Sequence, residues 1–198
     1  MIVEFVRGPR AGHAGRVGIL PGSFNPPTIA HLELMEAARN HVDEAICVLP
    51  RIFPHKQYFG ATLEQRIELL SKVSSGSIAI TGGGLFIDIA REFRKALGTD
   101  TQVFFLCGAD AAERIVTWDY GDSGRIEDML EEFQLLVAPR LTRYQAPEHL
   151  SGRVHPLTIR EGHGSVSSTE VRDRIARGEP WEHLVPHSIV ERVRAIYS

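Results

Sequence analysis

The sequence predicts an α/β fold, a doubly wound and mostly parallel sheet with helices on both faces. Three observations carry this expectation. Short apolar runs alternate with longer stretches whose apolar residues recur at helical spacing. The apolar runs are nearly uninterrupted, as strands buried on both faces are. Residues that favour turns, glycine and proline above all, separate the two kinds of stretch.

The elements follow in order. Residues 1–15 read as a short strand or arm with a Gly/Pro-rich connector, and residues 16–198 as the main domain. Arg16-Val17-Gly18-Ile19-Leu20 reads as a first buried strand, running into the turn-rich Pro21-Gly22-Ser23-Phe24-Asn25-Pro26-Pro27. A helix is predicted next, with Ile29, Leu32, Met35 and Ala38 on its apolar stripe. Further strands are predicted at Ala45–Leu49, Ser77–Thr81, Gln102–Cys107, Gln134–Ala138 and Arg153–Ile159. Further helices are predicted at Leu63–Val73, Leu85–Leu97, Ala111–Thr117, Arg125–Phe133, Ser168–Arg177 and Pro186–Tyr197. In such sheets ligands bind beyond the carboxyl ends of the strands, where the strand order reverses. The loops that follow strands are therefore the places to look for chemistry.

Composition narrows the function classes. The 198 residues suit one domain with a core of its own. The net charge of −3, from 22 basic and 25 acidic residues, gives no support for nucleic-acid binding. No apolar run approaches the length of a membrane span, and the N-terminus does not read as a signal peptide. Cys47 and Cys107 each sit in an apolar run and read as small buried thiols, not as a disulfide or zinc pair. A cytoplasmic protein with small-molecule partners is the expectation, and whether it forms a homo-oligomer is left open.

Four constellations carry candidate chemistry. The first is Gly22-Ser23-Phe24-Asn25-Pro26-Pro27-Thr28-Ile29-Ala30-His31, between the first buried strand and its helix. Glycine admits close approach of a phosphate, and a helix start offers unpaired N–H groups. Thr28 and His31, three apart, share one face of the first turn. The plainer reading is a proline-rich helix start with a satisfied histidine. The second is Ser167-Ser168-Thr169-Glu170-Val171-Arg172, where Ser167 and Glu170 have the spacing of a capping box. Three hydroxyls and the forked guanidinium of Arg172 also suit an anion. The third is Gly108-Ala109-Asp110, at the end of the strongest strand, where Asp110 can take ribose hydroxyls or cap the next helix. The fourth is Pro54-His55-Lys56, whose lysine either neutralises phosphate or is merely solvated. Trp118 and Arg140 also follow predicted elements on the candidate ligand side. The P-loop, dinucleotide-binding, nucleophile-elbow and HExxH patterns are all missing.

Together these motifs resemble the nucleotidyltransferase superfamily with a Rossmann-like fold and an HxGH-type signature. Within it the chain is most similar to the nicotinate/nicotinamide mononucleotide adenylyltransferases. GSFNPPTIAH stands early, SSTEVR about 140 residues later, and GAD and Trp118 between. The resemblance spans about residues 17–197. It implies transfer of AMP from ATP to a mononucleotide, with pyrophosphate released and Mg²⁺ bridging ATP phosphates. It implies that Gly22, Ser23 and Phe24, with Ser168 and Thr169, lie against those phosphates. His31 and Arg172 would stabilise the reaction, with Thr28 and Lys56 beside them. Gly108 and Asp110 would lie near ribose, and Trp118 would stack on the pyridine ring.

The chain also departs from the family pattern. Thr28 stands where the signature has its first histidine, and Ala30 where it has glycine. After the third main-domain strand the family's bacterial Tyr-Thr-x-Asp-Thr pattern reads Leu85-Phe86-Ile87-Asp88-Ile89, which keeps only Asp88. Another phosphate monoester, such as phosphopantetheine or a sugar or polyol phosphate, is therefore a second candidate acceptor. A nucleotide-binding regulator without turnover is a third reading. A tRNA-synthetase-like fragment is disfavoured by the lack of a basic surplus.

Overall fold

The computed structural model describes residues 3–9, 15–52, 59–121, 124–139, 144–160 and 162–197. Seven strands form one sheet: β1 (Glu4–Arg7), β2 (Arg16–Pro21), β3 (Glu44–Pro50), β4 (Ser77–Thr81), β5 (Gln102–Gly108), β6 (Gln134–Ala138) and β7 (Val154–Pro156). Their order is β1-β4-β3-β2-β5-β6-β7. Every pairing is parallel except that of β1 with β4. The order reverses between β2 and β5, so the ligand crevice of this topology lies at their carboxyl ends. Ile19 pairs with Phe105. Continuing that register brings Gly22 level with Gly108.

The strand interiors show why their sequences are apolar throughout. Successive side chains point to opposite faces, and both faces are covered. Ile19, Ile46, Val48 and Phe105 pack under α3 (Phe86–Leu97), α4 (Ala109–Thr117) and α5 (Ile126–Glu132). Their neighbours Leu20, Cys47, Leu49 and Phe104 pack under α1 (Ile29–Ala38) and α2 (Leu63–Val73). A third cluster joins Leu69 of α2 to α6 (Ser168–Arg177), Trp181, Leu184 and α7 (Val190–Tyr197). Cys47 and Cys107 are buried and free, and burial pushes both thiols up to about 12.

Several expected boundaries move. The last strand is three residues long, Val154–Pro156, not a run from Arg153 to Ile159. The last helix begins at Val190, because Pro186 opens a separate short turn over His187–Ile189. Leu85 precedes α3 as its cap residue. The arm is no appendage. Its strand β1 pairs with β4 at the sheet edge, and Phe5 meets Phe93 edge-on at 6.0 Å.

Candidate active site

The loop between β2 and α1 is held from several sides. Gly22 donates its N–H to Val48 O at 3.0 Å, continuing the β2–β3 ladder by one bond. A Cβ on Gly22 would lie 3.2 Å from the buried Phe24 ring, so a side chain here would press on that ring. Phe24 is fully buried with φ 47°, in the left-handed region that costs most residues about 1–3 kcal/mol. Its ring meets the His31 ring at 4.9 Å. Behind the loop, buried Arg66 of α2 donates to Ser23 O at 3.1 Å. A planar peptide then turns the Phe24 N–H to the opposite side.

Thr28 caps α1, and its side chain is fully buried. Its N–H donates to His31 Nδ1 at 3.0 Å, and its hydroxyl lies 2.8 Å from the same nitrogen. A neutral imidazole that accepts at Nδ1 carries its proton on Nε2. Burial holds the ring neutral, its pKa pushed down to about 4. The motif thus delivers an uncharged N–H donor on the first turn of a helix, with Thr28 fixing its orientation.

The second motif is bonded to the first. Ser168 Oγ donates to Pro26 O at 2.8 Å, and Arg172 Nη1 donates to Asn25 O at 2.7 Å. Arg172 Nη2 reaches Thr169 Oγ1 at 3.3 Å. Ser167 caps α6 by accepting the Glu170 N–H at 3.1 Å. Only this half of the expected capping box forms, since the Glu170 carboxylate pairs with Arg174 at 2.9 Å. On α1, Glu33 accepts the Arg160 N–H at 3.1 Å and lies 3.3 Å from His163 Nδ1, securing the segment that leads to α6.

The structure therefore gathers Gly22, Ser23, Phe24, Thr28, His31, Ser168, Thr169 and Arg172 into one bonded unit. Gly108 stands at the end of the adjacent strand as the cap residue of α4, and Asp110 lies in that helix's first turn, not at its cap. Trp118 ends α4, about 12 Å along the axis from Asp110. It is 65% exposed, an uncovered aromatic face. Asp88 Oδ2 accepts the Leu85 N–H at 3.4 Å, which gives this aspartate a helix-start role. Ile87 and Ile89 are core residues, so part of the departure from the family pattern is packing. Lys56 and Arg140 lie outside the described residues. No group of three or more His, Cys, Asp or Glu able to hold a metal occurs among the described residues.

Sequence reading singled out neither Arg66 nor the side chain of Asn25. Arg66 carried a usable signal, a charge on the apolar stripe formed by Leu63, Ile67 and Leu70. Asn25 carried none, because its partners lie far away in the chain.

Comparison with known proteins bears on the family and the fold. Residues 19–174 match the family model described as Cytidylyltransferase-like. A probable nicotinate-nucleotide adenylyltransferase of Moorella thermoacetica is 29% identical, covering 91% of this chain and 90% of its own. A protein of the same description from Thermoanaerobacter is 30% identical, covering 88% of this chain and 89% of its own. The solved Plasmodium falciparum nicotinic acid mononucleotide adenylyltransferase complexed with NaAD superposes with a TM-score of 0.67. It covers 91% of this chain and 95% of that one at 17% identity, a likeness of fold.

Proposed function

The chain belongs to the Cytidylyltransferase-like family and is an adenylyltransferase, and we propose that it transfers AMP from ATP to nicotinate mononucleotide in NAD biosynthesis. The observation that carries this reading is the bonding of α6 to the α1 loop. Arg172 on Asn25 and Ser168 on Pro26 fasten a guanidinium to the loop that leads into the helix of the neutral imidazole donor, at the carboxyl end of the parallel strand β2.

The reaction needs no protein nucleophile. An oxygen of the acceptor's 5′-phosphate attacks the α-phosphorus of ATP. The bond to the bridging oxygen breaks, and pyrophosphate leaves with the electron pair. Catalysis of this kind is positioning plus stabilisation of charge on phosphate oxygens. His31 donates its Nε2–H to such an oxygen, and Arg172 supplies a fixed positive charge. Ser168 and Thr169, with the backbone of Gly22, Ser23 and Phe24, line the phosphates. Lys56 adds a cation there. Gly108 and Asp110 face ribose, Trp118 stacks on the pyridine ring, and Asp88 and Arg140 serve the acceptor side. Mg²⁺ brought in with ATP would neutralise charge on its phosphates, and the reading assigns it no protein ligand. Among the described residues no helix is long and apolar enough to cross a membrane. The reading places the enzyme in the cytoplasm with its small-molecule substrates.

The test is pyrophosphate release with ATP–Mg²⁺ and a panel of acceptors: nicotinate mononucleotide, nicotinamide mononucleotide, phosphopantetheine and sugar phosphates. Fastest release with nicotinate mononucleotide is expected. Preference for another monoester would replace the acceptor, and ATP binding without release would favour a regulator. His31→Ala is expected to lower kcat by about 100-fold or more, the loss typical of one transition-state donor. Near-normal turnover would remove His31 from its role.

A further inference from the structure

Granted the adenylyl transfer proposed above, we infer that Tyr197 of α7 is a positioning residue for the reaction, acting through Asn25 on Arg172. Asn25 is 3% exposed, so each polar atom of its side chain needs a partner. Its Oδ1 accepts the Ala61 N–H at 3.1 Å, and its Nδ2 donates to Phe59 O at 2.6 Å. Those two backbone groups fix which end of the amide is oxygen. The Tyr197 hydroxyl therefore donates to Oδ1, as the second partner of that oxygen. The amide is also held by shape. A Cβ on Gly60 would lie 2.6 Å from Oδ1, and the φ of 115° there suits only glycine.

The backbone of this clamped residue carries the link onward. Asn25 O accepts from Arg172 Nη1 at 2.7 Å. Four segments thus meet at Asn25: its own loop, the stretch before α2, the guanidinium of α6 and the end of α7. Removing the tyrosine hydroxyl leaves the buried amide oxygen with one donor instead of two and loosens the clamp on Asn25. The peptide that seats Arg172 then loses part of its support. Small misplacements of a group that stabilises charge cost rate far more than they cost binding.

A double-mutant cycle tests this in the whole chain. Tyr197→Phe removes one oxygen and keeps the ring, so the variant should melt within a few degrees of the parent. In the parent background it is expected to lower kcat roughly five- to tenfold, with the KM for ATP changed less than about twofold. In the Arg172→Ala background the same change is expected to cost less than about twofold, because the group it positions is gone. A purely structural role would give equal losses in both backgrounds. Equal losses, or no loss in the parent, would overturn the inference. Absence of pyrophosphate release by the parent with every acceptor would instead overturn the adenylyl-transfer reading. In that case the inference, which concerns that reaction, falls with it.

Discussion

Thr28 N–H reaches His31 Nδ1 at 3.0 Å, and burial keeps that imidazole neutral down to a pKa of about 4. In the unfolded chain the same ring titrates near 6.5. Between the two values the unfolded chain binds a proton that the folded one does not, so stability rises with pH across this window. The contribution is fully present above about 6.5 and is lost, by about 3 kcal/mol, as pH falls to 4. The ring should therefore show no protonation between pH 5 and 8, with its proton on Nε2, when followed by NMR. A midpoint near 6.5 would mean that the ring is not buried as described. The same neutrality bears on activity, since an acid limb of kcat near pH 6.5 would have to come from another group. The pair was legible as two polar residues three apart at a helix start, but their bond to each other was not. Spacing predicts a shared face, whereas only the backbone angle at Thr28 turns its N–H toward the ring.

Among the elements, the edge strand is the one the sequence described least. Residues 1–15 show a short apolar–polar alternation and nothing that points to a partner. The structure supplies two. Phe5 packs on Phe93, and Arg7 donates to Ser74 O at 2.6 Å, Gly76 O at 3.2 Å and Ser71 O at 3.2 Å. These carbonyls lie at and just beyond the end of α2, where a cation is favoured and carbonyls lack intrahelical donors. Arg7→Ala is expected to cost about 1–3 kcal/mol, read as a drop of roughly 2–12 °C in the melting temperature. It should leave kcat unchanged, because the strand lies three strands from β2. A fall in kcat without a fall in melting temperature would show that the arm acts on the reaction instead. The parallel strands were legible because burial on both faces leaves an uninterrupted apolar run. Element ends were less so, since β7 and α7 are cut short by local turns that tertiary packing selects.

At the scale of the whole molecule, the sequence showed both motifs but not that they touch. Nothing in GSFNPPTIAH or SSTEVR indicates that Ser168 would find Pro26, 142 residues away, or Arg172 find Asn25, 147 away. These bonds depend on the third core cluster, in which Val171 packs with Leu69, Trp181 and Val193 and brings α6 toward α2. Because loop and helix share their bonds, a polyphosphate bound at one should order both. Hydrogen exchange with and without ATP–Mg²⁺ reads this directly, since ligand that binds only the native state suppresses local opening. Protection is expected together at residues 22–31 and 167–172, with the β1–β4 edge unchanged. His31→Ala should weaken protection at both segments, because the ligand bridges them. Protection confined to residues 22–31 would mean that the two helix starts are neighbours without acting on one ligand, and Arg172 would then lose its assigned role.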